Sequence, residues 1–278
     1  MRVVVTGSSG LLGRHVVAAL AEAGHDVTCV DTAPPADGAL RHLTADLTDL
    51  GAATEVVDGA EAVVHAAAIP RPTGRTARDV FDTNVSATFN VVEAARLAGV
   101  PKLVYASSYS ITGFPFNETP ISPAYFPVDS GWPAAPQDAY ALSKWLGEEI
   151  VAAAVRKGGP SAASIRMPWI QTPETFGHDV VPRRGDAGVA ARNLWSYIDA
   201  RDAGAAFQAA IATSFEGHKR LFVSAADTFM TEDTEPLVRA AYPETPLKRE
   251  FGGVESVFDA HDARALIGFN PRFSWRDY

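Results

Sequence analysis

The chain has 278 residues, 24 Lys plus Arg against 33 Asp plus Glu, a formal net charge of −9 and 47% hydrophobic residues. That is too apolar for a disordered chain and too acidic for bulk binding to nucleic-acid phosphates, while a single Cys, Cys29, excludes an intrachain disulfide and fits a reducing compartment. The apolar run at the N-terminus stops at Gly7, short of the about 7–15 residues of an export signal or the about 20 of a membrane helix, so a cytoplasmic protein with no membrane and no nucleic-acid partner is expected.

Arg2–Thr6 is a short β-branched run suited to a buried parallel strand. Residues 11–23 have helical spacing (Leu12, Val16, Val17, Leu20) and stop at Gly24. Residues 27–30 and Ala62–His65 read as strands, 77–98 as a helix ended by Gly99, and Lys102–Ala106 as a strand. Residues 111–136, rich in Pro, Phe, Gly and Ser, show no period, and an irregular stretch of that length inside a domain points to function rather than to a linker. A helix is predicted over 138–157, ending at Gly158-Gly159-Pro160, and a strand over 164–167. Beyond it the alternation weakens. Residues 168–190 are aperiodic, 199–212 helical, 220–223 a strand and 231–242 a helix. Residues 259–266 read as a short helix with Asp259 as N-cap and Asp262 as its capping-box partner. This rhythm predicts an α/β fold, a Rossmann-type doubly wound parallel sheet over 1–167. A small C-terminal substrate-binding lobe is expected mainly from 168–278, with 199–223 returning to the first unit.

Thr6-Gly7-Ser8-Ser9-Gly10-Leu11-Leu12-Gly13 joins the first predicted strand to the first helix. There Gly7 allows a tight turn, Gly10 lets the backbone approach a pyrophosphate, and Gly13 allows close helix–strand packing. The N–H groups at a helix start, with their partial positive charge, suit phosphates. Gly7, Ser9, Gly10, Leu11, Leu12 and Gly13 are therefore candidate dinucleotide contacts. Asp31 closes the second strand, about 20 residues on, where a carboxylate accepts hydrogen bonds from the adenine ribose. It would repel a 2′-phosphate, which favours NAD over NADP; Arg14 is the feature that keeps NADP open.

Tyr140 and Lys144 lie i, i+4 in the helix predicted over 138–157 and so share one face. A phenol with a pKa of about 10 is a poor base at neutral pH. A neighbouring Lys⁺ and an oxidised nicotinamide⁺ favour its phenolate and bring the pKa down. The plain alternative is a core Tyr beside a solvated Lys. Ser107 and Ser108 follow the strand Lys102–Ala106, at the carboxyl end where open α/β sheets bind ligands. A Ser pair also serves as a turn cap.

Thr6-Gly7-x-x-Gly10-x-x-Gly13, Asp46-Leu47, His65-Ala66-Ala67-Ala68, Asn84, Ser107-Ser108, Tyr140-x-x-x-Lys144 and Leu266-Ile267-Gly268-Phe269-Asn270-Pro271 stand in this order. Their spacing resembles that of the extended short-chain dehydrogenase/reductase superfamily, the NAD-dependent epimerase/dehydratase family, over nearly the whole chain. The resemblance implies that Asp46 and Leu47 flank the adenine and that Ala66, Ala67 and Ala68 line the cofactor. It makes Asn84 a holder of the active-site geometry, Ser108 rather than Ser107 the catalytic Ser, and Tyr140 the acid/base. It gives Lys144 the ribose and the tuning of Tyr140, and it puts Pro168 beside the nicotinamide. His65 would pack on the cofactor side without reacting. The resemblance also implies a homodimer through the helices carrying Asn84 and Tyr140. No metal is expected, since His178 has no partners at ligand spacing.

The shared residues do not separate the family's reactions. Nucleotide-sugar epimerases resembling this chain carry an Asn where it has Trp169, and a diphosphate-gripping Arg where it has Trp195. An indole does not replace a bidentate Arg–phosphate contact. Residues 107–113 and 192–195 are instead similar to uronate and aldose dehydrogenases. By that likeness Arg192 matches an Arg that binds a sugar carboxylate, although a plain surface role fits it equally. Tyr109 and Ser110 depart from the Asn and His of those enzymes. The expected substrate contacts are Ser108, Tyr109, Trp169 and Arg192. The leading expectation is an NAD-dependent sugar or small-alcohol dehydrogenase acting on a small-molecule substrate. The alternatives are a (nucleotide-)sugar epimerase/dehydratase, which consumes no net NAD, and a non-catalytic NAD-binding regulator. Residues 179–186 are expected to form a solvated loop or lid, and Arg71, Arg75 and Arg78 a solvated helix start.

Overall fold

A computed structural model of the chain describes residues 1–33 and 40–278. An unbroken apolar run becomes a strand when both of its faces are covered. Val3, Val4 and Val5 of β1 (Arg2–Thr6) are buried in this way. Then come α1 (Leu11–Glu22), β2 (Asp26–Asp31), β3 (Arg41–Thr44), α2 (Leu50–Val57), β4 (Ala62–His65), α3 (Ala77–Leu97) and β5 (Lys102–Ala106). A 3₁₀ turn, Tyr109–Thr112, leads into the irregular segment, and α4 (Ala139–Arg156) and β6 (Ser161–Arg166) follow. The rest comprises β7 (Trp169–Gln171), α5 (Pro173–Thr175), α6 (Ala187–Ala191), β8 (Tyr197–Asp199), α7 (Ala200–Ala212), β9 (His218–Phe222), α8 (Thr234–Ala241) and α9 (His261–Ile267).

Among the described residues seven strands pair in the order β3-β2-β1-β4-β5-β6-β9, all parallel. Helices α1 and α7 cover one face, where Val16, Leu20, Phe207 and Ile211 pack on Val5, Val64 and Ile165. Helices α2, α3 and α4 cover the other, with Val57, Val91 and Val151 against Val63 and Leu103. The strand order reverses direction between β1 and β4, so a crevice opens beyond their carboxyl ends. A third apolar cluster lies outside this sandwich. It joins Phe114, Phe126, Val128 and Trp132 of the irregular segment to Trp195, Tyr197, Phe229, Val238 and Val257. Backbone bonds fix the contact: Phe126 N–H donates to Pro246 O at 2.9 Å and Val128 N–H to Val257 O at 2.8 Å.

Several local expectations change. The edge strand β3 and helix α2 carry no strong periodic signal; pairing with β2 and the Asp49 cap, whose carboxylate accepts from Ala52 N–H at 2.7 Å, make them. Strand β6 begins at Ser161, not 164, because Ser161, Ala162 and Ala163 are carried by pairing with β5 despite weak strand character. Helix α8 starts at Thr234 rather than 231. The Asp259 capping box does not form: α9 starts after Ala260 with no side-chain cap, and the Asp259 carboxylate accepts only from His261 N–H. Residues 168–190, aperiodic in sequence, hold β7, α5, a π turn over Phe176–Val180 and α6. The 179–186 stretch is largely exposed, as expected of a solvated loop, but it is anchored at two points. Val180 is buried, and the Arg184 guanidinium lies 3.3 Å from the Trp275 ring centroid and donates to Phe229 O. Arg71, Arg75 and Arg78 are exposed, and Arg78 pairs with Asp82 at 3.0 Å. No helix among the described residues is long and apolar enough to cross a membrane.

Candidate active site

The glycine loop is shaped by two close approaches. Gly7 has φ +70°, and a Cβ there would stand 2.5 Å from Ala67 N. A Cβ on Gly13 would lie 1.9 Å from Gly7 O, so Gly13 packs α1 onto the loop itself rather than onto a strand. Gly10 is the N-cap of α1 and brings no side-chain cap. The first-turn N–H groups of Leu11, Leu12 and Gly13 therefore have no partner within the helix. The buried Ser8 hydroxyl has none either. Asp31, at the end of β2, accepts from Ser9 N–H at 2.9 Å and ties the loop to the strand. Ala67 N–H donates to Thr6 Oγ1 at 3.3 Å, which fixes the start of the Ala66–Ala68 stretch beside the loop.

Asp138 caps α4, accepting from Tyr140 N–H and Ala141 N–H, both at 2.9 Å, and so sets the first turn that carries Tyr140. Gly147 lets α4 lie close on β5: a Cβ there would meet the Tyr105 hydroxyl at 2.1 Å. Tyr140, Lys144 and Ser108 are all at least nine-tenths buried. The Ser108 hydroxyl, which accepts from Ser110 N–H at 3.1 Å, lies beside the Tyr140 phenol. Lys144 Nζ donates to Ala106 O at 2.7 Å and lies 5.8 Å from the Tyr140 ring centroid. Asn84 of α3 clamps the neighbouring backbone: its Oδ1 accepts from Ile69 N–H at 2.7 Å and its Nδ2 donates to Ile69 O and to Ser143 Oγ, both at 3.1 Å.

The electrostatics depart from the expectation that Lys144 holds the Tyr140 phenol down. Burial pushes Tyr140 up to about 12, opposed by the neighbouring Ser108 hydroxyl. Burial also brings Lys144 down to about 7, so its charge at neutral pH is partial. His65 is fully buried between Thr6 Oγ1 and Thr88 Oγ1, and burial with the Lys144 charge brings it down to about 3. It is a neutral packing group at neutral pH.

The model of the NAD dependent epimerase/dehydratase family matches residues 3–220. The chain belongs to that family. NAD is its cofactor, and it is an enzyme of the dehydrogenase or epimerase kind. It is 34% identical to an L-arabinose 1-dehydrogenase (NAD(P)(+)) of Haloferax volcanii over 62% of this chain and 68% of that enzyme. It is 30% identical to a uronate dehydrogenase of Pseudomonas putida over 60% of each chain. The fold matches a short-chain dehydrogenase/reductase superfamily protein of Agrobacterium tumefaciens, solved with bound NAD, at TM-score 0.75 and 24% identity over 99% of this chain and 94% of that one.

The loop of this family member fits a dinucleotide: unpaired first-turn N–H groups, an orphaned Ser8 hydroxyl and a glycine-lined surface offer donors and room for phosphate oxygens. Ser8 was not legible as a contact, because nothing in sequence distinguishes it from Ser9, whose hydroxyl donates to Ala33 O. The other expected positions divide. Asp46 is exposed, and its carboxylate is turned to Thr48 N–H and Oγ1. The Leu47 side chain is buried in the core with Ala53 and Val56, so only its backbone is left to face an adenine. Pro168 is buried just past β6, and Trp169 is half-buried with the Arg183 guanidinium 4.9 Å from its ring. Tyr109 does not stand free for a substrate: it is buried and its hydroxyl donates to Asn193 Oδ1. Arg192 is exposed and its Nη2 donates to Asn117 O at 3.0 Å. Trp195 is fully buried and donates to Ala187 O at 3.0 Å. Among the described residues no group of three or more His, Cys, Asp or Glu is placed to hold a metal ion.

Proposed function

We propose that the chain is an NAD-dependent dehydrogenase of an unphosphorylated sugar, an aldose or a uronate. The observation that carries the reading is the buried Ser108–Tyr140 hydroxyl pair with Lys144 one helical turn away, at the carboxyl end of β5. Bound NAD supplies the hydride acceptor. Tyr140 takes the proton of the substrate hydroxyl as the carbinol carbon gives up its hydrogen, and the Ser108 hydroxyl steadies the same oxygen as it becomes a carbonyl. Lys144 holds the ribose and shares its positive charge with the phenolate. Asn84 keeps the backbone at Ile69 and the α4 face at Ser143 in place. Asp31 meets the adenine ribose and turns away a 2′-phosphate.

Position 195 supports the choice of substrate. A fully buried indole there cannot grip a diphosphate, which argues against a sugar nucleotide. The names of the arabinose and uronate relatives agree with it. Arg192, at the lobe surface beside Asn117, is the cation offered to a carboxylate, and residues from 168 onward supply the lobe that covers the sugar. The test is reduced-nicotinamide absorbance with NAD and with NADP against free aldoses, uronates and UDP-sugars. Steady accumulation with a free sugar, faster with NAD, is expected. Interconversion of a sugar with no net reduction would make it an epimerase, and turnover of UDP-sugars alone would overturn the substrate class.

A cytoplasmic homodimer through α3 and α4 belongs to the same proposal. Phe89 and Leu97 of α3 are 48% and 65% exposed. Sedimentation at twice the 29.5 kDa chain mass is expected, and a single-chain mass at micromolar concentration would overturn it.

A further inference from the structure

Beneath the reacting pair lies a junction to which the mechanism above gives no role. Tyr140, Lys144 and Glu148 are spaced i, i+4, i+8 along α4, and all three are buried, Glu148 completely. The Glu148 carboxylate accepts four hydrogen bonds. Ser107 Oγ (2.6 Å) and Arg166 Nε (2.9 Å) donate to Oε1; Arg166 Nη2 (2.8 Å) and Arg220 Nε (2.9 Å) donate to Oε2. One anion thus ties the ends of β5 and β6, and β9, to the helix turn that follows Lys144. The chain after Arg166 returns to the site as well, since Met167 O accepts from Tyr109 N–H at 3.1 Å.

The geometry at the end of β5 gives the junction its meaning. Ser108 is extended (φ −147°, ψ 149°), so the side chains of 107 and 108 leave the backbone on opposite sides. Whatever holds Ser107 down on Glu148 holds Ser108 up at Tyr140. Stability alone does not call for this arrangement, because a buried carboxylate between guanidiniums is commonly no better than well-packed apolar side chains. A directional acceptor for Ser107 is what an apolar core would lack.

We infer that Glu148 is a positioning residue: acting through Ser107, it sets the Ser108 hydroxyl against the Tyr140 oxygen. The inference rests on the reading of Ser108 and Tyr140 as the reacting pair. It predicts that Ser107→Ala and Glu148→Gln each lower kcat by about tenfold to a hundredfold, as misplacement of a reacting group does. KM for NAD should stay within about twofold. Because both act on one contact, the double variant should be no slower than Glu148→Gln alone. Arg220→Gln, which removes a donor to the same carboxylate without touching β5, should lower the melting temperature and keep kcat within about twofold. Multiplying losses in the double variant, or an unchanged kcat in Ser107→Ala, would overturn the inference.

A second readout needs no turnover and tests the Ser107 junction separately from the reaction reading. Ala106, whose carbonyl accepts from Lys144, directly precedes Ser107. Lys144 is one of five lysines and faces Tyr105, Tyr140 and His65, so competitive amine labelling with mass spectrometry can follow it. Releasing Ser107 loosens that carbonyl and lets water reach the ammonium. In Ser107→Ala the Lys144 midpoint should therefore move measurably from that of the parent, downward as the bond to Ala106 O weakens or upward as water enters. A midpoint equal to that of the parent would overturn the inference.

Discussion

Tyr140→Phe is expected to leave NAD binding and melting temperature near those of the parent and to lower the rate of substrate oxidation by about 10²–10⁴-fold. The phenol has the Ser108 hydroxyl as its polar neighbour at the site, and the ring packs edge-on to Phe116 at 6.3 Å. Phe keeps that packing and removes only the proton acceptor. The loss should fall on kcat and kcat/KM together, the mark of an interaction made in the transition state. The pH dependence has a definite sign. Burial raises the Tyr140 pKa, so the phenolate is the minor form at neutral pH, and oxidation should accelerate as pH rises. Lys144, brought down to about 7, loses its charge over the same range and blunts the rise. In Tyr140→Phe any residual rate should show no such alkaline gain. Stopped-flow single turnovers across pH, with NADH affinity by fluorescence titration, check both points. A variant as fast as the parent would turn the reading towards a non-catalytic NAD-binding protein.

The second large effect is at Gly13. In Gly13→Ala the new methyl would lie 1.9 Å from Gly7 O, 2.7 Å from Gly7 C and 2.8 Å from Ser8 Cα, all backbone or Cα atoms that no side-chain rotation can clear. The loop cannot retreat, because Gly7 already abuts Ala67 and Ala66. Helix α1 must therefore move off the loop, carrying its first-turn N–H groups with it. We expect NADH affinity to fall by at least about a hundredfold and stability by about 1–3 kcal/mol, the usual cost of overpacking. Gly177→Ala, at a position with nothing within 4 Å and no positive φ, serves as the control and should change neither. Fluorescence titration and chemical denaturation decide it; unchanged NADH affinity in Gly13→Ala would mean that this loop is not the dinucleotide cradle.

The central strands β1, β2, β4 and β5 and the glycine loop were legible because their signals are local. A β-branched run buried on both faces and a Gly at a forced close approach need no distant information. The Tyr140–Lys144 register was legible for the same reason, since i, i+4 spacing on a capped helix settles which face both share. What escaped depends on partners far away in the chain. Nothing near Glu148 in sequence announces that Ser107, Arg166 and Arg220 converge on it from three strands. Tyr109 read as a substrate contact because Asn193, which takes its hydroxyl, lies 84 residues on. The Tyr140 phenol was expected low because a lysine and an oxidised nicotinamide stand nearby. Sequence gives charges but not burial, and here burial outweighs the charge. Asp31 was placed correctly at the end of β2, yet its grip on Ser9 N–H could be seen only once the loop was folded.

The irregular stretch between the 3₁₀ turn and α4 leaves the sheet just after Ser108 and rejoins it just before Tyr140, and its middle is bonded to Pro246 and Val257. Both halves of the reacting pair thus hang on one thread whose far loop is anchored in the outer cluster. The substrate-facing part is not a detachable module. A chimaera that exchanged only the residues after 167 for those of a relative would leave Phe126 and Val128 facing a foreign surface, and the mismatch would be felt first at Ser108 and Tyr140. Retargeting the protein to another substrate by recombination requires moving 113–137 together with the C-terminal residues, two segments joined at three junctions rather than one.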